Sequence, residues 1–242
     1  VNNKFVFVTP AYNCQEKIVQ TVRSVFSQSY SDWRIVVYDD MSTDNTAQVV
    51  SDMSKSLGLG DRLKVVSRTE KHGEVRNTLD AVESIDDSEI VCRLDAGDWL
   101  TENDALYILN DAYNKSNAAV MWTMHRWSYT STNISGPLKG DDVYSHQWVS
   151  SHLKTFRRSS LRGINKKNFL DDQGNYIMIA CDQAVFLPMM HKAIKEERPL
   201  VFIPMVMYHY DIDLKNPTLF KSERSINQKM SAERIRERGF IE

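Results

Sequence analysis

Two aspartates, Asp95 and Asp98, are separated only by Ala96 and Gly97 and directly follow the apolar run Ile90-Val91-Cys92. Small side chains between them, and the backbone freedom of Gly97, let a tight turn aim both carboxylates at one point. Carboxylates so placed repel each other unless a proton or cation lies between them, and their oxygens suit hard divalent ions. The same residue types also make ordinary surface turns. A second acidic pair, Asp39-Asp40, follows Ile35-Val36-Val37, and the polar set Thr9-Pro10-Ala11-Tyr12-Asn13 follows Phe5-Val6-Phe7-Val8. Asp182 is a lone acid at the head of an apolar helical pattern over residues 184–194, where a helix dipole favours negative charge. Asp171 and Asp172 stand beside the turn residues Gln173-Gly174 and are the alternative acids in that region.

The flanking patterns predict the elements that carry these residues. Buried strands are expected over residues 4–10, ended by Pro10, and over 34–39, 63–66 and 90–94. Between them, helical spacing of apolar residues predicts helices from Ile18 to about Gln28, around Val49, Val50 and Met53, and over residues 73–84. The segment Ser42 to Thr46 supplies N-cap chemistry for the second of these. Strands alternating with helices imply a parallel sheet with right-handed crossovers. Ligands bind beyond the carboxyl ends of such strands, so the three polar sets would open on one edge.

Further on, a helix over residues 102–117 is capped by Thr101, and a strand covers 119–124. Residues 127–144 read as a long loop, a candidate donor lid or acceptor wall. Lys154, Arg157, Arg158, Arg162, Lys166 and Lys167 form a basic cluster that would suit a phosphorylated acceptor or the donor diphosphate, or else make a solvated face. Pro188 would kink or break the late helix. A last strand spans 200–210 and carries His209, more naturally a packed or solvent-facing histidine than a metal ligand. A polar helix over 220–239 is basic in places through Arg224, Lys229, Arg234, Arg236 and Arg238.

The 242 residues are 42% hydrophobic and 26% charged with a net charge of -2, which is ordinary for a globular protein and gives no global pull toward nucleic acid or anionic membrane. The three cysteines are widely spaced without a CxxC, as in a reduced, cytoplasmic protein. No apolar run approaches the ~20 residues of a membrane span, and no signal peptide is visible. Neither a G-x-G-x-x-G after the first strand nor a G-x-x-x-x-G-K-[ST] is present, which weakens the dinucleotide and P-loop readings.

The ordered set T-P-A-Y-N (9–13), Y-D-D-M-S-T-D-N-T (38–46), V-R-N (75–77) and R-L-D-A-G-D-W-L (93–100) resembles glycosyltransferase family 2. These are inverting enzymes with the A-type nucleotide-sugar-binding fold. The resemblance implies one α/β domain over 1–242, with a central, mostly parallel sheet flanked by helices. Residues 1–117 would be the nucleotide-sugar half and 118–242 the acceptor half. It implies that Thr9, Pro10 and Tyr12 line the pocket of uracil or another base, that Asp40 accepts from the base with Asp39 close behind, and that Arg76 approaches the nucleotide. Asp98 would hold Mn²⁺ or Mg²⁺ on the donor diphosphate, with Asp95 facing the ribose or the metal. Many relatives carry a further acid where Gly97 stands. Asp182 matches the catalytic base. The implied donor is a nucleotide-diphosphate sugar, a UDP-sugar foremost. The implied acceptor is a hydroxyl on a glycan, a lipid-linked sugar or a modified base in DNA. The rivals are a nucleotidyltransferase and a catalytically silent nucleotide-sugar-binding or scaffold protein on the same fold.

Overall fold

The computed structural model describes residues 1–127, 133–211 and 223–242. The chain-order elements are β1 (Phe5–Ala11), α1 (Ile18–Phe26), β2 (Trp33–Asp39), α2 (Thr46–Ser56), β3 (Leu63–Ser67), α3 (Gly73–Glu83) and β4 (Ile90–Arg93). They continue with β5 (Trp99–Leu100), α4 (Ala105–Ser116), β6 (Val120–Trp127), β7 (Lys154–Arg157), α5 (Cys181–Lys195), β8 (Leu200–Tyr210) and α6 (Glu223–Arg238). Strands β1 to β4 each fall within a residue or two of their apolar runs. Residues 220–222, and residues 128–132 of the expected long loop, lie outside the described residues. Residues 133–153 form no regular helix or strand.

The eight strands form one sheet in the order β3-β2-β1-β4-β7-β6-β8-β5. β1 through β4 pair in parallel, as do β6 and β8, whereas β7 runs antiparallel to both β4 and β6, and β5 antiparallel to β8. The sheet is therefore mostly parallel, as expected of this α/β pattern. Side chains alternate across β1: Phe5 and Phe7 join one core with Ile18, Val22, Leu106 and Leu109, while Val6 and Val8 join the other with Val75 and Phe186. Helices thus cover both faces, and fully burying each such apolar side chain contributes about 1.5–3 kcal/mol.

Several local expectations are corrected. Pro10 does not end β1 but pairs opposite Tyr38 within it. The missing N–H is tolerated because the ladder to β4 has already stopped at Val8. Thr101 does not cap α4; its hydroxyl donates to the Val206 carbonyl at 3.1 Å, and Asp104 holds the N-cap position. α5 begins earlier than its apolar run and passes through buried Pro188 without ending. β5 and β7 are strands whose brevity hides them from pattern reading, and β7 turns part of the basic cluster inward.

Candidate active site

The parallel pairing of β1, β2 and β4 brings their carboxyl ends to one edge, where Thr9 to Asn13, Asp39-Asp40 and Asp95 to Asp98 lie together as the alternation requires. The second strand end is locked to the first: the Asp40 backbone N–H donates to the Ala11 carbonyl at 2.9 Å. Thr9 is fully buried, and its hydroxyl has no partner among the described residues. Tyr12 projects, half exposed, with the Lys71 ammonium 4.1 Å from its ring centre. Asp39 accepts from the Ser42 amide at 3.2 Å.

Asp40, expected to accept from a base, has both oxygens engaged within the protein. One of its oxygens accepts from the His72 amide at 2.8 Å and the Asn77 side chain at 3.1 Å, and the other from the Gly73 amide at 3.0 Å. A buried carboxylate with both oxygens so engaged anchors the β3–α3 turn. Gly73 itself has φ +71°, and a side chain there would run into the Met178 thioether. Arg76 is paired with Glu70 at 3.0 Å, about one-third exposed, which is the solvated-helix alternative with a different partner from Glu74 or Asp80.

At the end of β4 the tight turn is present: the Asp98 amide donates to the Asp95 carbonyl at 3.1 Å, and Gly97 adopts φ +103°. Lys17 methylenes lie 3.4 Å from where a Gly97 side chain would begin, so the space of the acid expected in relatives is partly taken by a cation-bearing chain. The Lys17 ammonium pairs with Asp211 at 2.7 Å. Asp95 meets Arg93 at 3.0 Å and keeps 32% of its side-chain surface. Asp98 is buried, accepting from the Tyr208 hydroxyl at 2.6 Å and the Asp211 amide at 2.8 Å. Burial first, and the adjacent Asp95 charge second, push its carboxyl up to about 8.

Among the described residues no three His, Cys, Asp or Glu side chains group as metal ligands. The donor set of Asp95 and Asp98 nonetheless fits a magnesium-type ion, which takes one or two protein carboxylates and completes its shell with water and substrate phosphate. A buried carboxyl whose proton affinity is raised beside a second carboxylate, as at Asp98, is the environment a divalent cation relieves. His209 is not part of it: its ring stacks on Trp99 with centroids 3.8 Å apart and accepts from Arg126 at 3.0 Å.

Asp182 sits in the first turn of α5 without capping it. Instead its Oδ2 lies 2.7 Å from the ammonium of Lys154, which β7 delivers fully buried, and 4.0 Å from His152 Nε2. Burial alone would raise this carboxyl, but Lys154, then His152 and Arg93, more than offset it and hold it well below the usual carboxylate range. Asp182 Oδ1 has no hydrogen-bond partner among the described residues, and 31% of the side chain is exposed. Glu74, Thr78, Arg93 and Asp182 line one narrow gap with Cys181. Arg93 donates to Thr78 and reaches Glu74 at 3.5 Å, so its guanidinium bridges the Asp95 turn to the start of α3. Burial and then Asp95 raise the Glu74 carboxyl, a direction that the half-exposed side chain moderates through solvent screening. Asp171, the alternative acid, accepts from the Gln173 and Asn175 amides at 2.9 Å and builds the predicted turn.

Sequence reasoning missed Glu74, Arg93 and Tyr208 as members of this site, and placed Lys154 in a surface cluster. Arg93 and Glu74 had a signal: a charged residue ending an apolar strand, and an acid in the first turn of a predicted helix. Tyr208 had none, since 110 residues separate it from Asp98. The arginines of the basic cluster are spent on structure. Arg158 and Arg162 both pair with Asp87, and Arg157 lies over the Tyr113 ring. On α6, Arg236 clamps the Tyr144 and His146 carbonyls, and Arg238 those of Leu170 and Asn168.

Comparison with known proteins agrees with this geometry. The chondroitin synthase of Pasteurella multocida (strain Pm70) is 22% identical over 233 residues, covering 93% of this chain and 23% of that protein. The putative teichuronic acid biosynthesis glycosyltransferase TuaG of Bacillus subtilis (strain 168) is 36% identical over 66 residues, 27% of this chain and 25% of that one. The chain thus spans about a quarter of the length of these curated relatives. Among solved structures, S. aureus TarS 1-349 in complex with UDP superposes with a TM-score of 0.65 at 17% identity, covering 96% of this chain and 70% of that one. These identities show a shared fold, the A-type fold of glycosyltransferases. The family model for glycosyl transferase family 2 matches residues 6–172, and with it the three polar strand ends and the Asp95–Asp98 turn, so the chain belongs to glycosyl transferase family 2.

Proposed function

We propose that this chain transfers a sugar from a nucleotide-diphosphate sugar to an acceptor hydroxyl with inversion, and that it depends on Mn²⁺ or Mg²⁺. The observation that carries the reading is the pairing, across one strand-end cleft, of the Asp95–Asp98 turn with a second, exposed-tipped carboxylate at Asp182. The family assignment supports the donor class, and a solved mannosyltransferase of Pyrobaculum calidifontis with TM-score 0.65 is a complex with GDP-Man and Mn²⁺. UDP is the preferred nucleotide, in keeping with the TarS complex.

In this reading Tyr12 and Lys71 border the base, with Thr9 and Pro10 as the floor beneath and Asp39 the acid nearest it. Asp40 acts by holding the β3–α3 turn, and Arg76 reaches the nucleotide only by leaving Glu70. Asp98, with Asp95, would hold the divalent ion, which supplies charge stabilisation to the departing diphosphate. The acceptor oxygen bonds to the anomeric carbon as the bond to the diphosphate oxygen breaks, and its proton passes to Asp182 Oδ1. Lys154 keeps Asp182 ionised at a cost in basicity. That cost is tolerable because the attacking hydroxyl grows acidic as its bond to carbon forms. Residues 1–117 and 118–242 work as one domain, supported by a sheet in which β7 of the second half lies beside β4 of the first. A reducing, cytoplasmic setting accords with the free thiols of Cys14, Cys92 and Cys181.

The test is thermal melting with a panel of nucleoside diphosphates and nucleotide sugars, each with Mn²⁺, Mg²⁺ or EDTA. A metal-dependent rise for one base family is expected, absent in Asp98→Ala and retained in Asp182→Asn. Transfer by Asp182→Asn should fall about 10²–10⁴-fold, the range for a lost general base. No stabilisation by any nucleotide, with or without metal, would replace the enzyme reading by the scaffold one. A product with the donor's anomeric configuration would remove inversion.

A further inference from the structure

A cavity of about 930 Å³ opens between the 171–179 segment and α6, outside the cleft described above. One wall runs into the active site. Ile179 lies three residues before Asp182, and Met178 packs its thioether against Gly73 at the head of the helix that carries Glu74. The other wall is α6, fastened across by the Ser231 hydroxyl donating to the Ile179 carbonyl at 2.9 Å.

The lining mixes two kinds of surface. Ile177, Met178, Ile179, Met230 and Ile235 give an apolar floor, with the Tyr176 ring beside them. Planar polar groups surround it: Gln173, Asn175, Asn227 and Arg234 have side chains that pair with nothing among the described residues. The Arg238 Nε is buried there and also unpartnered, although both its terminal nitrogens bond to backbone carbonyls. Acids and cations nearly balance, Asp171, Asp172 and Glu237 against Arg234 and Arg238. Sugar rings present this pattern in complement. Neighbouring hydroxyls match the paired donors and acceptors of amides and guanidinium, and C–H faces lie against aromatic and aliphatic side chains. Polyanions find no excess positive charge, and a purely apolar chain would strand the amides and arginines.

We propose that this cavity binds a neutral oligosaccharide, the part of the acceptor beyond the unit that reacts. The role as acceptor rests on the transferase reading, whereas binding itself does not. Its volume matches a ligand larger than one sugar, within the range of specific small-molecule sites.

The test uses protein carrying ¹³C-methyl methionine, with Met178 and Met230 assigned from Met→Leu variants, titrated with glucose- and N-acetylglucosamine-based oligomers of one to four units. Both methyl signals should move with a tetramer, and the monosaccharide should bind at least tenfold more weakly. Asn227→Trp, which fills the cavity, and Arg234→Ala should each weaken tetramer binding tenfold or more, while UDP–Mn²⁺ stabilisation stays unchanged and reports an intact fold. Absence of methyl shifts with every neutral oligomer would overturn the proposal, as would undiminished binding in both variants. Preferential shifts with a uronic acid oligomer or a polyprenyl phosphate would replace the neutral saccharide by a charged or a lipid ligand. Loss of UDP binding in the unaltered protein, with saccharide binding retained, would sink the transferase reading and leave the cavity assignment standing.

Discussion

Asp98, buried, and Asp182, part-buried, are carboxylates on the same sheet edge, and their surroundings drive them in opposite directions. Asp98 has a hydroxyl and an amide for company and a second carboxylate nearby, so its proton affinity rises. Asp182 has Lys154 at 2.7 Å, so its proton affinity falls. One corner carries its own cation; the other, in the proposed reading, would receive one. In the proposed reading the difference would separate two jobs that a sequence reader sees as the same letter: holding a positive ion, and staying ionised to take a proton.

The comparison is broken most severely by Lys154→Met. That change leaves Asp182, about one-third exposed, without its cation, and the loss in denaturant unfolding at neutral pH should approach but not reach the ~3–5 kcal/mol of a fully buried broken pair. The sign with pH follows from the lowered carboxyl. In the unaltered protein the Asp182 contribution is complete above the unfolded aspartate value of about 3.9 and is lost as pH falls below it. In Lys154→Met that acid-side loss should largely vanish, because the carboxyl no longer sits low. Unchanged stability and an unchanged acid limb would mean that the ion pair is not formed in solution.

A smaller effect sharpens the same corner. His125, buried beside Lys154, His152 and Tyr210, is held down to about 4, by burial first and the Lys154 charge second. The unfolded chain takes up its proton near pH 6.5, so stability should fall as pH drops from 6.5 toward 4, by up to roughly 3 kcal/mol for this group. His125→Phe should flatten that stretch of the stability–pH curve. A slope equal to the unaltered protein's would assign the dependence elsewhere, with His152 next in line.

The smallest effect concerns the first half. Arg76→Ala removes an exposed pair with Glu70 and should change unfolding free energy by under about 1 kcal/mol. If UDP–Mn²⁺ stabilisation also stays intact, Arg76 has no part in the donor site. A tenfold weaker nucleotide response would restore it.

The first hundred residues were legible because each cue is local. Val6, Val37 and Val91 sit in short apolar runs, and the polar sets that follow them need only parallel pairing to meet. The Asp95–Asp98 turn could be read from Ala96 and Gly97 alone. Asp182 was legible as a helix-head acid, but not its partner. Lys154 looks like one more surface lysine until β7 is seen to run backwards between β4 and β6, a placement that no periodicity over four residues can announce. Asp40 has a structural role that its motif does not announce. It stands beside Asp39 in the motif, yet its oxygens serve the His72 and Gly73 amides, bonds that cross more than thirty residues of chain.

The reversed β7 also sets an order of assembly. Its neighbours β4 and β6 are linked to it only through long stretches of sequence, with Ile90 opposite Arg157 and Val120 opposite Phe156. Closing such loops costs chain entropy before any contact repays it, which slows folding. During synthesis β1 to β4 can pair as they emerge, whereas β4 must wait, one edge bare, until residues 154–157 arrive and are inserted. The Lys154–Asp182 corner therefore forms only after β4 has waited for β7, and a chain interrupted before residue 154 would present an open strand edge in its place.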